Sequence, residues 1–380
     1  MRRDIYTAEH EAFRSAFRAL LDREAVPNVE KWEQAGTVDR DFITTAAESG
    51  FLGFEFDTEY GGLGISDFRY NAVIAEEVVR SGMAGDTFSM QNDIIVPYLR
   101  DLATDEQKQR WLPRFTRGEC VTSLGMTEPG AGSDLASIRT AAVRDGEDLV
   151  INGTKTFITS GATCDLAIVL VRTGERDGRG ASLVAVEYGT PGFDRGRPMR
   201  KIGRKAQDTA ELVFTDCRVP VANILGEPGR GFGSAIANLP RERLSIAVSA
   251  VASAEHALSL ALDHVRSRIA FGAPLADLQS VRMSIADMHT EVRILQHYVD
   301  GCVAALNRGE LSAADAAGAK YKATELQWDV LDRSLQLFGG YGYTEEYPIA
   351  RMWRDARIQR IYGGANEVMK DLVGRAVVAG

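Results

Sequence analysis

The sequence predicts an α+β protein of three domains: a helical N-terminal domain in residues 1–120, a β domain in 121–226 and a helical bundle in 227–380. Three observations carry this expectation. A chain of 380 residues exceeds one ordinary core. The hydrophobic period switches from helical to alternating and back again. The last segment then holds a single apolar seam over seven helical turns. At 45% hydrophobic and 26% charged, the composition is that of a globular protein.

Taken in order, Phe13, Phe17, Leu20 and Leu21 form an apolar stripe after an acid-rich turn and predict a first helix. Glycines in Glu59–Gly64 mark a loop. From about 121 to 222 the period is that of strands. Leu149–Ile151 and Thr156–Ile158 flank Asn152-Gly153, a hairpin-turn signal. Apolar runs at Leu166–Val171, Ser182–Val186 and Glu211–Phe214 complete a small antiparallel sheet or barrel. After Pro228, Leu278, Val281, Ile285, Met288, Val292, Leu295, Val299 and Val303 recur every three or four residues and predict a long bundle helix. Leu244–Arg268 and Ala313–Leu337 read as two more long helices, and Asn366–Val378 as a shorter one.

Several function classes are disfavoured at this point. A net charge of −9 without a basic cluster argues against nucleic acid as a partner. The longest run free of charged residues is eleven, whereas a membrane span needs roughly 20, so no span is expected. The charged start, Met1-Arg2-Arg3-Asp4 with Glu9 and Glu11 close behind, is unlike a secretion signal or a transit peptide. The four cysteines, Cys120, Cys164, Cys217 and Cys302, form no CxxC pair, so a reducing cytoplasm is the expected location. The five histidines make no HxH or HxxxH pair, and no metal site is expected. No GxSxG turn presents a nucleophilic serine. Gly229, Gly231 and Gly233 lack a third glycine at dinucleotide-loop spacing, since Ser234 stands there, and read as a linker.

Three segments carry more. In Met126–Asp134, small residues beside Pro129 give a tight turn, either a plain loop or a cradle whose N–H groups face an anion or a flat ring. Gln336–Gly342 reads as a helix end with a glycine cap. Glu242, two residues after Pro240, reads on its own as an acid near a helix start, where it complements the dipole.

Together with Glu59–Gly64, Phe157-Ile158-Thr159, Arg268–Gly272, Leu239–Arg243 and Ile361–Glu367, these segments resemble the acyl-CoA dehydrogenase family from end to end, in order and in spacing. The resemblance is nearest to the long-chain branch, through Leu239–Arg243 and Ile361–Glu367. It implies a helical domain, a middle β-barrel and a C-terminal four-helix bundle, assembled as a homotetramer. The implied activity is α,β-dehydrogenation of an acyl thioester with FAD. An electron-transfer flavoprotein then reoxidises the flavin.

Site residues follow position by position. Leu124, Gly125, Met126, Thr127, Gly132 and Ser133 match the stretch along FAD, with Ser133 also near the CoA moiety. Phe157, Ile158 and Thr159 match a Trp-Ile-Thr motif, with phenylalanine keeping a flat ring near the flavin. Arg268, Phe271 and Gln279, and the loop Gln336, Leu337, Phe338, Gly339 and Gly340, match positions that reach FAD across a subunit interface. Ala365, Asn366 and Glu367 match the flavin-side turn; Gly363, Gly364 and Arg243 match substrate contacts. Glu242 matches the base that takes the α proton in long-chain relatives, and the position that holds the base in the other branch is Gly363 here. Two alternatives stay open: an oxidase or monooxygenase on the same fold, and a dehydrogenase acting on carrier-protein thioesters.

Overall fold

The computed structural model describes residues 3–83, 87–174 and 180–379, so the first two residues of the charged start lie outside it. Six helices come first: α1 (Ala8–Leu20), α2 (Val29–Ala35), α3 (Arg40–Glu48), α4 (Phe68–Arg80), α5 (Val96–Leu102) and α6 (Asp105–Thr116). The stripe turns inward as its spacing requires, with Phe17 on α1 and Leu21 just beyond its end fully enclosed and Phe13 half-buried. Phe17 packs edge-on against Phe88, and Trp32 and Phe42 complete an aromatic core. Ser89–Ile95, leading into α5, is π-helical, a widening that no sequence signal announces.

The β domain contains β1 (Thr122–Gly125), β2 (Ala141–Asp145), β3 (Asp148–Thr159), β4 (Leu166–Arg172), β5 (Ala181–Glu187), β6 (Phe193–Arg195), β7 (Thr209–Pro220) and β8 (Ile224–Leu225). The strands run β6-β7-β3-β2-β4-β5-β8, with β1 parallel to β4. Asn152-Gly153 is not the hairpin turn expected. β3 runs through it as a bulge against β7, and the turn lies one strand earlier, where Asp145 pairs with Asp148. Gly153 is required because a side chain there would collide with Thr140. β4 is buried along its whole length. Ala167, Val169 and Val171 enter the β-domain core, while Leu166, Ile168 and Leu170 pack with Trp111, Leu112 and Phe115 of α6. A strand covered on both faces reads as a continuous apolar run, as this one does.

The bundle is built from α7 (Gly231–Ser267), α8 (Gln279–Asn307) and α9 (Ala313–Phe338), with α10 (Pro348–Ala356) and α11 (Asn366–Ala379) packed beside them. The seam on α8 faces inward at Val281, Met288, Val292, Leu295, Val299 and Val303. α9 ends as expected on Gly339, at φ 61°. Two expectations fail on α7. Gly231 is its first residue and buried, so the glycine cluster is not a free linker. Pro240 lies inside α7 rather than opening it. α7 is also long and apolar enough by itself to cross a membrane, contrary to the count of charge-free runs. In the fold, 67% of that apolar stretch is covered by protein, the condition of a bundle's core helix.

Candidate active site

Glu242 stands eleven residues into α7, where a helix has no free amides to complement an acid, so the dipole role suggested by Pro240 does not apply. Its side chain is buried, at 6% exposure. Burial pushes its carboxyl from 4.5 up to about 7, against the pull of the Tyr98 hydroxyl and the Arg243 charge. Tyr98, on α5 and fully enclosed, donates to Glu242 Oε1 at 3.1 Å. The arginines on either side of Glu242 part ways. Arg241 pairs with Glu55 and donates to the Asp93 carbonyl at 3.2 Å. Glu55 also holds Arg100 at 2.6 Å, so Arg241 is committed to an acidic partner between domains. Arg243 turns instead to the Gly363 carbonyl, at 3.2 Å, and burial lowers its pKa while Glu242 acts to restore it.

The turn that Arg243 reaches contains Gly363 and Gly364, both at positive φ. A side chain at 363 would collide with Ile246 on α7. Lys320 of α9 holds this turn from beneath. Fully buried, it donates to the Gly364 carbonyl at 2.8 Å and to Asn366 Oδ1 at 2.9 Å. Burial lowers its pKa to about 8, with Arg243 adding repulsion. Asn366 also donates to Thr324 at 3.0 Å, so its side chain serves the turn itself. Ala365 is half-buried and Glu367 exposed.

A second group lies on the β domain. Met126–Ser133 leaves β1 and is folded into a tight turn by paired backbone bonds between Glu128 and Ala131, both 3.0 Å. Lys155 of β3, fully buried, pins this turn through Glu128 at 2.8 Å and the Met126 carbonyl at 3.1 Å. Burial lowers Lys155 to about 8 while Glu128 opposes that shift. Burial also works to raise Glu128, but Lys155 and the N–H groups of Arg139 and Thr140 hold it below its usual value. Thr127 is tied to Thr156 by a 2.9 Å backbone bond, which sets Phe157 beside the turn. Leu124 is half-buried, Gly125 buried, and Gly132 and Ser133 exposed. Ile158 points into the β core, so only its backbone faces outward, with half-buried Thr159 next. Phe157 is 68% exposed at φ 59°.

A third group gathers at the far end of the bundle. Arg268, Leu337, Phe338, Gly339 and Gly340 line a cavity of about 400 Å³ together with His264 and Tyr341. Gln336 and Gln279 are exposed nearby in sequence, and Phe271 is 97% exposed at φ 53°. Arg268 lies 26 positions beyond Glu242 along α7, about 39 Å at 1.5 Å per residue. One chain therefore does not bring the third group to the first.

Exposed phenylalanines on left-handed backbone are costly twice, in hydration and in strain. A flat aromatic ligand covering Phe157 and Phe271 accounts for both.

Family profiles match nearly the whole chain: "Acyl-CoA dehydrogenase, N-terminal domain" over residues 7–119, "middle domain" over 123–217 and "C-terminal domain" over 229–378. The chain belongs to the acyl-CoA dehydrogenase family. A long-chain specific acyl-CoA dehydrogenase of Rattus norvegicus mitochondria is 42% identical over 380 residues, covering 99% of this chain and 88% of the relative. The acyl-CoA dehydrogenase structure from Geobacillus kaustophilus superposes with a TM-score of 0.96 at 43% identity, covering 98% of both chains. An acyl-CoA dehydrogenase from Bacillus anthracis, solved in complex with FAD, superposes at 0.92 with 29% identity, over 98% of this chain and 67% of that one.

Four residues that shape this dehydrogenase site escaped the sequence reading: Tyr98, Glu128, Lys155 and Lys320. Lys320 had a visible signal. It falls on the same helical face as Ala316, Ala319, Ala323 and Gln327, where a lysine must be paired. Tyr98 and Lys155 gave none, because their partners come from distant segments.

Proposed function

We propose that the protein is an FAD-dependent acyl-CoA dehydrogenase in which Glu242 removes the α proton of the acyl thioester. The observation that carries this is a buried carboxyl pushed up to about 7, on a helix whose Arg243 and Ile246 meet a turn where residue 363 is glycine. A base at that pKa is about half ionised at neutral pH, so much of it is ready to take up a proton. The thioester α proton is weakly acidic, so its carbonyl oxygen needs donors. Arg243 and Lys320 hold the carbonyls of Gly363 and Gly364, and a planar peptide points its N–H away from its C=O. The N–H groups of residues 364 and 365 are thereby turned away from the two cations, available to a thioester oxygen. FAD, when bound, accepts the hydride that leaves the β carbon.

The residues that would hold FAD are Leu124–Ser133 and Phe157–Thr159 of one subunit, with Arg268, Gln279 and Gln336–Gly340 of a neighbour. The separation along α7 supports this split between subunits; that the assembly is a homotetramer rests on the family resemblance. Arg243, free of the acidic tie that holds Arg241, is suited to the phosphate-bearing arm of the substrate. An electron-transfer flavoprotein is the acceptor this reading implies.

The test is anaerobic stopped-flow reduction of the bound flavin by acyl-CoA in Glu242→Gln. The variant should slow the step by about 10²–10⁴, the usual worth of a general base, with FAD content near normal. Reduction at the wild-type rate would place the base elsewhere.

A further inference from the structure

We propose that Tyr98 is the positioning residue of the base: its hydroxyl fixes one oxygen of Glu242 and leaves the other to receive the proton. The inference rests on the reading of Glu242 as base.

Tyr98 is wholly enclosed, and its hydroxyl reaches Glu242 Oε1 at 3.1 Å from the opposite helix. A phenol has one hydrogen to give, and the ionised Glu242 carboxylate can only accept it. Burial and the Glu242 charge push the Tyr98 pKa well above its ordinary value, so the hydroxyl stays a donor at any working pH.

The other charged groups near Glu242 do not duplicate this task. Arg243 lies on the same helix and is turned to Gly363; Lys320, from α9, faces the turn and Arg243; Arg241 is paired with Glu55. Among the described residues, nothing hydrogen bonds Glu242 Oε2. In turnover the Cα–H bond breaks and an O–H bond forms at Oε2, converting carboxylate to acid, while Tyr98 keeps its own proton. A donor on Oε1 favours the carboxylate over the acid and so restrains the rise that burial produces.

Tyr98→Phe removes that donor, and the Glu242 pKa should rise further. The acid limb of the flavin-reduction rate should move to higher pH by about one unit, with a roughly tenfold loss concentrated below the limb. An infrared pH titration of the Glu242 carboxyl, taken as a difference against Glu242→Gln, should show the same displacement without turnover. A uniform loss at all pH values, a limb that stays in place, or one that moves to lower pH would overturn the proposal. If Tyr98→Phe does not fold, Tyr98→Met, which also lacks the donor, decides by the same criteria. The base reading fails separately, by a Glu242→Gln variant that reduces its flavin normally.

Discussion

Replacing Glu242 with glutamine should make the protein more stable at pH 8 while disabling it. In the folded chain burial raises the carboxyl from 4.5 to about 7. In the unfolded chain the same group ionises near 4.5, so between the two values the folded state holds a proton that the unfolded state has released. The stability contributed by this group is fully present below pH 4.5 and is lost as pH rises through 7. At about 1.4 kcal/mol per pH unit, the buried carboxylate costs about 3 kcal/mol above pH 7. Glutamine keeps the shape, carries no charge and still accepts from Tyr98 through its amide oxygen. Its amide hydrogens are buried with fewer partners than in water, which returns about 1 kcal/mol of the gain. The net expectation is about 2 kcal/mol of stabilisation at pH 8 and little difference at pH 5. Denaturant unfolding of both proteins, loaded equally with FAD at one protein concentration, measures it. Equal stability at pH 8, or a difference that does not change with pH, would refute the reasoning.

Lys155→Met should cost about 3–5 kcal/mol by leaving Glu128 buried without its countercharge, and adding Glu128→Gln should recover part of it; thermal unfolding and retained FAD report both effects. Moving the carboxylate by Glu242→Gly with Gly363→Glu should restore little flavin reduction, because residue 363 has φ 64° and its side chain would strike Ile246. Adding Ile246→Ala should then raise the stopped-flow rate, and no improvement would show that strain at 363 dominates. Arg243→Ala should raise the apparent substrate constant more than it lowers turnover, since its guanidinium reaches the turn but no reacting atom.

The three-part layout was legible because it rests on local periodicity, and periodicity survives without knowledge of partners. The seam on α8 and the unbroken apolar run of β4 both went where their patterns point. Local signals failed where tertiary packing overrode them. Asn152-Gly153 has the chemistry of a two-residue turn, yet pairing with β7 carries the strand through it as a bulge. Pro240 suggests a helix start, yet the turns before it pack against the β domain, and the helix continues through the lost hydrogen bond. The same misplacement gave Glu242 a solvated role when considered alone. Only family resemblance reversed it, and burial now supplies the physical reason. Tyr98 could not be anticipated, since its meaning depends on a partner 144 residues away.

The double coverage of β4 has a consequence for how the molecule comes apart. Its alternate side chains belong to two different cores, so the helical domain and the sheet cannot separate without stripping apolar surface from the same strand. They should therefore open as one cooperative unit, with the β4 amides exchanging hydrogen only at the rate of global unfolding. A fragment cut at the apparent boundary near residue 121 would expose Leu166, Ile168 and Leu170 as an unpartnered face, and self-association is its expected fate.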